Sequence, residues 1–266
     1  MADPLPGPPG SAQWWLARAE RSGPRRVRRD GITLDRVVAH ALAIIDSEGA
    51  ARLTLRRLAD ELHTGPASLY RHVSSREEIL TLAVDSFLSP LSELHPPAGL
   101  DWLGRLRWLA LSFRQHLLAH PNMAPLMLAA QMLGPNAMAG RQRALRAFLE
   151  AGMSVETAAR AYLAIIHFTL VSAQLEARPT LATPDQRQAR HELFAQQDPN
   201  LYPDVVANAP VLAELDASDE FEFGLDALLR GIEAGHQARR DSPVGRSATS
   251  GVRGRVSIVP GSPDPA

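Results

Sequence analysis

Residues 54–80 read TLRRLADELHTGPASLYRHVSSREEIL, and they decide the fold. Leu55, Leu58, Ala59 and Leu62 recur at i, i+3, i+4 and i+7, the spacing of a helix with one buried face. Thr54 stands where an N-cap belongs. The turn His63-Thr64-Gly65-Pro66 follows, and Pro66 fits because its missing N–H falls in the first turn of the next helix. That second helix, expected over residues 66–73, is barely two turns long. It turns Leu69 inward and presents Ala67, Ser68, Tyr70, Arg71 and His72. Too little is buried there for packing to be its purpose. A short polar helix behind a tight turn has the shape that enters a DNA major groove.

Working outward, Val37, Val38, Ala41, Ile44 and Ile45 give the core face of a preceding helix over residues 33–48, stopped by Gly49. On the other side, Ser75 and Glu78 form an S-x-x-E capping box that opens a helix running to about residue 87. Pro90, Pro96, Pro97 and Gly99 mark a boundary. Beyond it, helices are expected near 100–119, 122–131, 135–151, 154–177, 185–196 and 219–238. No segment alternates as a strand does, so the fold class is all-α. The expected organisation is a disordered basic arm (1–29), a three-helix helix-turn-helix head (30–88), a larger helical body (99–238) and a disordered tail (239–266). Trp14, Trp15 and Leu16 allow the arm one or two helical turns. Its run RRVRR (25–29) reads either as an arm along DNA or as a solvated linker.

Composition narrows the chemistry. The chain has 266 residues, 45% hydrophobic and 21% charged, as expected of a soluble globular protein. It has no cysteine, which excludes disulfides, thiolate metal sites and a cysteine nucleophile. All 28 basic residues are arginine, which excludes a lysine-bearing phosphate loop and Schiff-base chemistry. No signal peptide is expected, and the most apolar run (162–175) is too short and too interrupted to span a bilayer. The expectation is a cytoplasmic protein with no membrane partner and no cofactor. Residues 14–76 carry 12 arginines against 7 acids (+5), and residues 91–238 carry 11 against 16 (−5). A basic head on an acidic body suits a protein that offers one end to a polyanion.

The motifs then acquire a family. ALAIIDSEG (41–49), TLRRLADEL (54–62) and SLYRHV (68–73) resemble the DNA-binding domain of the tetracycline-repressor (TetR) family. SFRQHLLAHP (112–121), FLEAGMSVETAARAY (148–162), IIHFTL (165–170) and FEFGLDALLRGIE (221–233) resemble the ligand-binding and dimerisation domain of the tetracycline-repressor branch. The resemblance implies a homodimer on a double-stranded DNA operator, released by a small-molecule effector. It places Arg56 where a guanine can be reached. Pro66 opens the recognition helix, whose residues themselves offer Ala67 to a thymine methyl and Ser68, Tyr70 and Arg71 to base edges or phosphates, while the resemblance puts Tyr70 and His72 where phosphates are contacted. Arg76, at a helix N-terminus, adds charge where a phosphate would sit. Arg56 and Arg57 point about 100° apart, so only one of them faces the groove, and Arg56 is preferred. The tetracycline repressors have a polar residue where Pro66 stands, so a different operator is expected.

For the effector pocket the resemblance implies Phe113, Met127, Gln131, His167 and, across a one-residue gap, Glu176. At Met127 the drug-binding members carry a histidine that coordinates the drug's magnesium. A thioether is a poor ligand for so hard a cation, which points to an apolar, metal-independent effector. Met123, Met127, Met132 and Met138 read either as an adaptable pocket or as ordinary core. His116 and His120, at i and i+4, have metal-binding spacing but no supporting third ligand, so no metal is assigned. The helices over 154–177 and 219–238 are apolar on more than one face and suit a four-helix dimer interface. Two other readings are a ligand-independent regulator or activator of the same fold, and an enzyme. The last has neither G-x-S-x-G nor H-E-x-x-H to support it.

Overall fold

The computed structural model describes residues 5–21, 32–177 and 183–241. Among these, every regular element is helical. The arginine run at 25–29 and the segment beyond Asp241 lie outside the described residues.

The one or two helical turns expected around Trp14, Trp15 and Leu16 are a ten-residue helix. Helix α1 (Ala12–Arg21) buries Trp14 to 2% exposure against the head. Arg18 stacks over the Trp14 ring at 5.1 Å and pairs with Glu78 at 2.9 Å. One anchored tryptophan with an arginine one turn on supplies the burial that an isolated ten-residue helix lacks. The Leu16 side of the helix stays open to solvent.

Three elements then build the head as expected. Helix α2 (Leu34–Glu48) is capped by Thr33, whose hydroxyl accepts from the Arg36 N–H, and buries Val37, Val38, Ala41, Ile44 and Ile45. Helix α3 (Leu55–Glu61) is capped by Thr54 through the Arg57 N–H. Helix α4 (Pro66–Leu69) is shorter than the 66–73 reading; its last turn is completed by the Val73 N–H donating to the Leu69 carbonyl at 3.0 Å. In the turn, the left-handed residue is His63 (φ 50°), not Gly65. The Thr64 N–H reaches back to the Ala59 carbonyl at 2.9 Å, so the helix end itself imposes that backbone.

Helix α5 (Arg76–Phe87) links head to body. Ser75 caps it through the Glu78 N–H, but the reciprocal half of the capping box is diverted. The Glu78 carboxylate accepts from the Ser74 N–H and hydroxyl, both at 2.7 Å, and from Arg18. A short helix α6 (Ser89–Glu93) follows directly. The body comprises α7 (Trp102–Ala119), α8 (Ala124–Ala129), α9 (Pro135–Glu150), α10 (Val155–Glu176), α11 (Pro184–Ala195), α12 (Pro203–Ala207), α13 (Ala209–Glu214) and α14 (Ala217–Asp241). Helices α6, α12 and α13 are too short for any periodicity to announce them.

Two apolar cores result. One runs from the head into the upper body, joining Leu58, Leu69 and Phe87 to Phe113, Leu117, Met123, Met127 and Leu170. The other lies low in the body, around Leu106, Phe148, Ile165, Phe221 and Leu225. Helix α10 is central to both. Its 22 residues include an 18-residue window of mean hydropathy 1.2, so by length and composition alone it is long and apolar enough to cross a membrane. Here it packs against α7, α9 and α14. Against α14 the approach is close: the Phe168 ring lies flat on Phe221, centroids 5.4 Å apart, and presses on Gly224.

Candidate nucleic-acid interface and effector cavity

The head sorts its arginines by partner. Arg57 pairs with Glu48 at 2.7 Å and approaches Glu61 at 3.8 Å, so it is tied to the domain's own surface. Arg56 is exposed one position earlier, and among the described residues no acid pairs with it. Pro66, Ala67, Tyr70 and Arg71 are exposed on α4 and its last turn, while Ser68 and His72 are half-buried. Arg71 donates to the Ser68 hydroxyl at 2.9 Å, so these two act as one unit. Leu69 is fully buried and fixes the rotation of this short helix.

Arg76 is engaged within the domain. Its Nε donates to the Leu53 carbonyl and its Nη2 to the Ala50 carbonyl, each at 2.6 Å. The guanidinium that was expected to meet a phosphate holds the carbonyls of the turn between α2 and α3. The Ala50 carbonyl also accepts from the Leu53 N–H at 3.2 Å, so the fork-shaped cation adds a second donor there and bonds the Leu53 carbonyl beside it.

Head and body meet through a polar seam. The His116 ring stacks on Phe87 at 4.1 Å, and its Nε2 donates to the Phe87 carbonyl at 2.8 Å. Burial, with His120 nearby, pushes the His116 pKa below its ordinary value, against the pull of the Phe87 carbonyl and Asp46. His120 Nδ1 lies 2.8 Å from the Asp46 carboxylate, and Asn122 donates to the Asp46 carbonyl at 2.7 Å. The two histidines thus have separate partners, and no group of three metal-ligating side chains occurs among the described residues. Asp85, buried on α5, accepts from the Asn136 and Ala137 N–H groups and the Asn136 amide. It therefore caps α9 from another helix, where burial raises its pKa despite those bonds.

Between the two cores lies a cavity of about 100 Å³. Leu88, Leu91 and Leu94 wall it on the head side. Trp108, Phe113, Phe148 and Tyr162 give it aromatic surface, and Arg143, Asn136 and Thr169 give it polar groups. Thr169 has spent its hydroxyl on the Ile165 carbonyl at 2.8 Å. Burial lifts the Tyr162 pKa, with Arg141 working against it.

Of the five pocket residues expected from sequence, only Phe113 lines this cavity. Met127 is fully buried in the upper core, with Met123 beside it. Their methionines are core filling, while Met132 does reach the cavity wall. Gln131 borders a second, more polar cavity of about 280 Å³, between the segment before α1 and α5. His167 is exposed, because α10 turns its Leu163–His167–Val171 side outward. Glu176 is bound by Arg114 through two bonds of 2.9 and 2.6 Å, and Arg114 also donates to Ser218. A doubly bonded carboxylate tying α7 to α10 and α14 is a brace. Sequence reasoning missed Trp108, Tyr162 and Arg143 as cavity residues. The signal for Arg143 was present: it interrupts a stripe of small and apolar residues, Gly140, Ala144, Ala147 and Phe148.

A helix-turn-helix head joined by one helix to a cavity-bearing helical body defines a class, the DNA-binding regulators that answer to a small molecule. Residues 37–83 match the model of the bacterial regulatory proteins of the tetR family, and residues 95–235 match the tetracyclin repressor-like C-terminal domain. The chain belongs to the TetR family. It is similar to the HTH-type transcriptional repressor DrrR1 of Streptomyces coeruleorubidus, 30% identical over 83% of each chain. The class E tetracycline repressor protein of Escherichia coli is 31% identical over 80% of this chain and 96% of its own. Among solved structures, Streptomyces coelicolor ActR in complex with actinorhodin superposes with a TM-score of 0.70 at 33% identity, covering 77% of this chain and 98% of that one. The protein is accordingly a ligand-responsive DNA-binding transcriptional repressor and not an enzyme.

Proposed function

We propose that this protein works as a homodimer on an inverted-repeat operator and leaves it when a small, largely apolar, metal-independent effector enters the cavity between the two cores. The observation that carries this reading is the position of the cavity. Its upper wall, Leu88, Leu91 and Leu94, is the chain that leads out of the connecting helix α5. An occupant that pushes on this wall moves α5, and α5 carries the head. An effector shifts the equilibrium only by preferring the conformation that releases DNA.

Dimerisation is supported by α10 and α14, which expose Leu163, Val171, Leu175 and Phe223 at 45%, 45%, 50% and 73%. These side chains form an apolar face of the kind that a second copy covers in a four-helix interface. On DNA, α4 and Arg56 supply base contacts, and Tyr70, Arg71 and His72 supply phosphate contacts. In vitro selection of bound DNA, followed by footprinting, tests the reading. Two inverted half-sites roughly one helical turn apart are expected. A single asymmetric half-site occupied by a monomer would refute it.

A further inference from the structure

Arg143 occupies a position that calls for an explanation. It lies on the cavity side of α9, and it donates through Nη1 to the Ser92 carbonyl at 2.5 Å and through Nη2 to the Leu91 carbonyl at 2.6 Å. Its third donor, Nε, is enclosed and has no acceptor. Arg105, Arg107 and Arg190 also bury an unpaired N–H, but Arg105 and Arg107 pair with Glu150 and Glu222, and Arg190 does not line this cavity. No carboxylate pairs with Arg143 among the described residues. Burial draws its pKa below the ordinary arginine value, without approaching neutrality in any physiological range. A cation held at the wall of an apolar cavity, with a donor to spare and no counter-ion, is a site for an anion.

From this we propose that the effector is an acid, an aromatic or otherwise apolar body bearing one carboxylate, which docks on Arg143. The inference rests on the cavity being the effector site. The planar surfaces of Trp108, Phe113, Phe148 and Tyr162 suit the body of such a molecule, and the guanidinium suits its charged end. The same group also gives the acid a route to the head. The carbonyls that Arg143 holds belong to α6, which continues directly from α5. A carboxylate is a stronger acceptor than two neutral carbonyls. When Arg143 turns to the ligand, the end of α6 loses its clasp and α5 is freed to shift. A neutral molecule of the same shape fills the cavity but leaves the clasp closed.

Calorimetry on the full chain with 2-naphthoate and its neutral counterpart 2-naphthamide tests this. The wild-type protein should bind the acid at least about tenfold more tightly than the amide. Arg143→Gln should bring the two to parity by weakening the acid alone, and Arg143→Lys should keep a preference for the acid. In an operator-release assay, naphthoate should displace the wild-type protein and not Arg143→Gln. Equal binding of acid and amide by the wild type would overturn the proposal without any variant having to fold. So would an acid preference that survives in a folded Arg143→Gln. Ala144→Phe fills the cavity and should abolish both ligands. If both bind that variant undiminished, the cavity itself is not the effector site. If neither ligand binds the wild type, the cavity reading and the acid proposal fall together.

Discussion

Replacing Arg76 by alanine separates two roles that the sequence could not. A phosphate contact would cost DNA affinity, whereas a brace costs stability. The guanidinium makes two short bonds, to the Leu53 and Ala50 carbonyls, at 2.6 Å each. A bond from a charged donor contributes about 1.5–3 kcal/mol where water cannot replace it. Ala50 is half-exposed, so water recovers part of the loss, and the pair together should be worth about 2 kcal/mol. For a helical protein of this size, that lowers the melting temperature by about 4–8 °C. Circular dichroism melts of wild type and Arg76→Ala give the first number. Operator affinity measured across a salt series gives the second: the slope of log K against log salt should stay within error of wild type, whereas each lost phosphate contact lowers it by about 0.9. An unchanged melting temperature with a slope reduced by that amount would refute the brace and restore the phosphate contact.

Other expectations follow from the same geometry. Arg56→Ala should weaken specific binding by about 1–3 kcal/mol and relax one base pair per half-site; equal losses on specific and random DNA, seen in competition titrations, would remove Arg56 from base reading. Met127→Glu should place a charge in the fully buried upper core and unfold or strongly destabilise the protein. A well-folded variant that binds operator normally and loses only induction would return Met127 to the effector site. Gly224→Ala would bring a methyl group within 2.4 Å of the Phe168 ring and should cost about 1–3 kcal/mol, read from denaturant unfolding. Since burial holds the folded His116 pKa below its ordinary 6.5, the unfolded chain takes up that proton first. Its contribution is therefore fully present above about pH 6.5 and is lost as pH falls from there towards the folded value. The melting temperature should fall over that window, and His116→Gln, which keeps a donor for Phe87, should flatten the decline.

By itself the sequence determined the elements that have local causes. Thr33, Thr54 and Ser75 cap their helices because a hydroxyl at that position meets an orphan N–H two or three residues on, whatever the rest of the chain does. The helical spacing of Val37 through Ile45 determined a buried face, and the brevity of the polar helix behind Pro66 determined a DNA-reading head. The positions of Arg76, Glu176, His167 and Met127 were decided only in three dimensions. Each depends on a partner far along the chain: the carbonyls of Ala50 and Leu53, the Arg114 fork, the rotation of α10, and the junction of two cores. Helix α1 shows the same limit. Its stability comes from Trp14 and from an ion pair spanning 60 residues, not from its own ten. Caps and periodicities are short-range and so are written in the sequence. Counter-ions, cavities and unpaired donors are properties of packed surfaces, and they exist only once the helices have met.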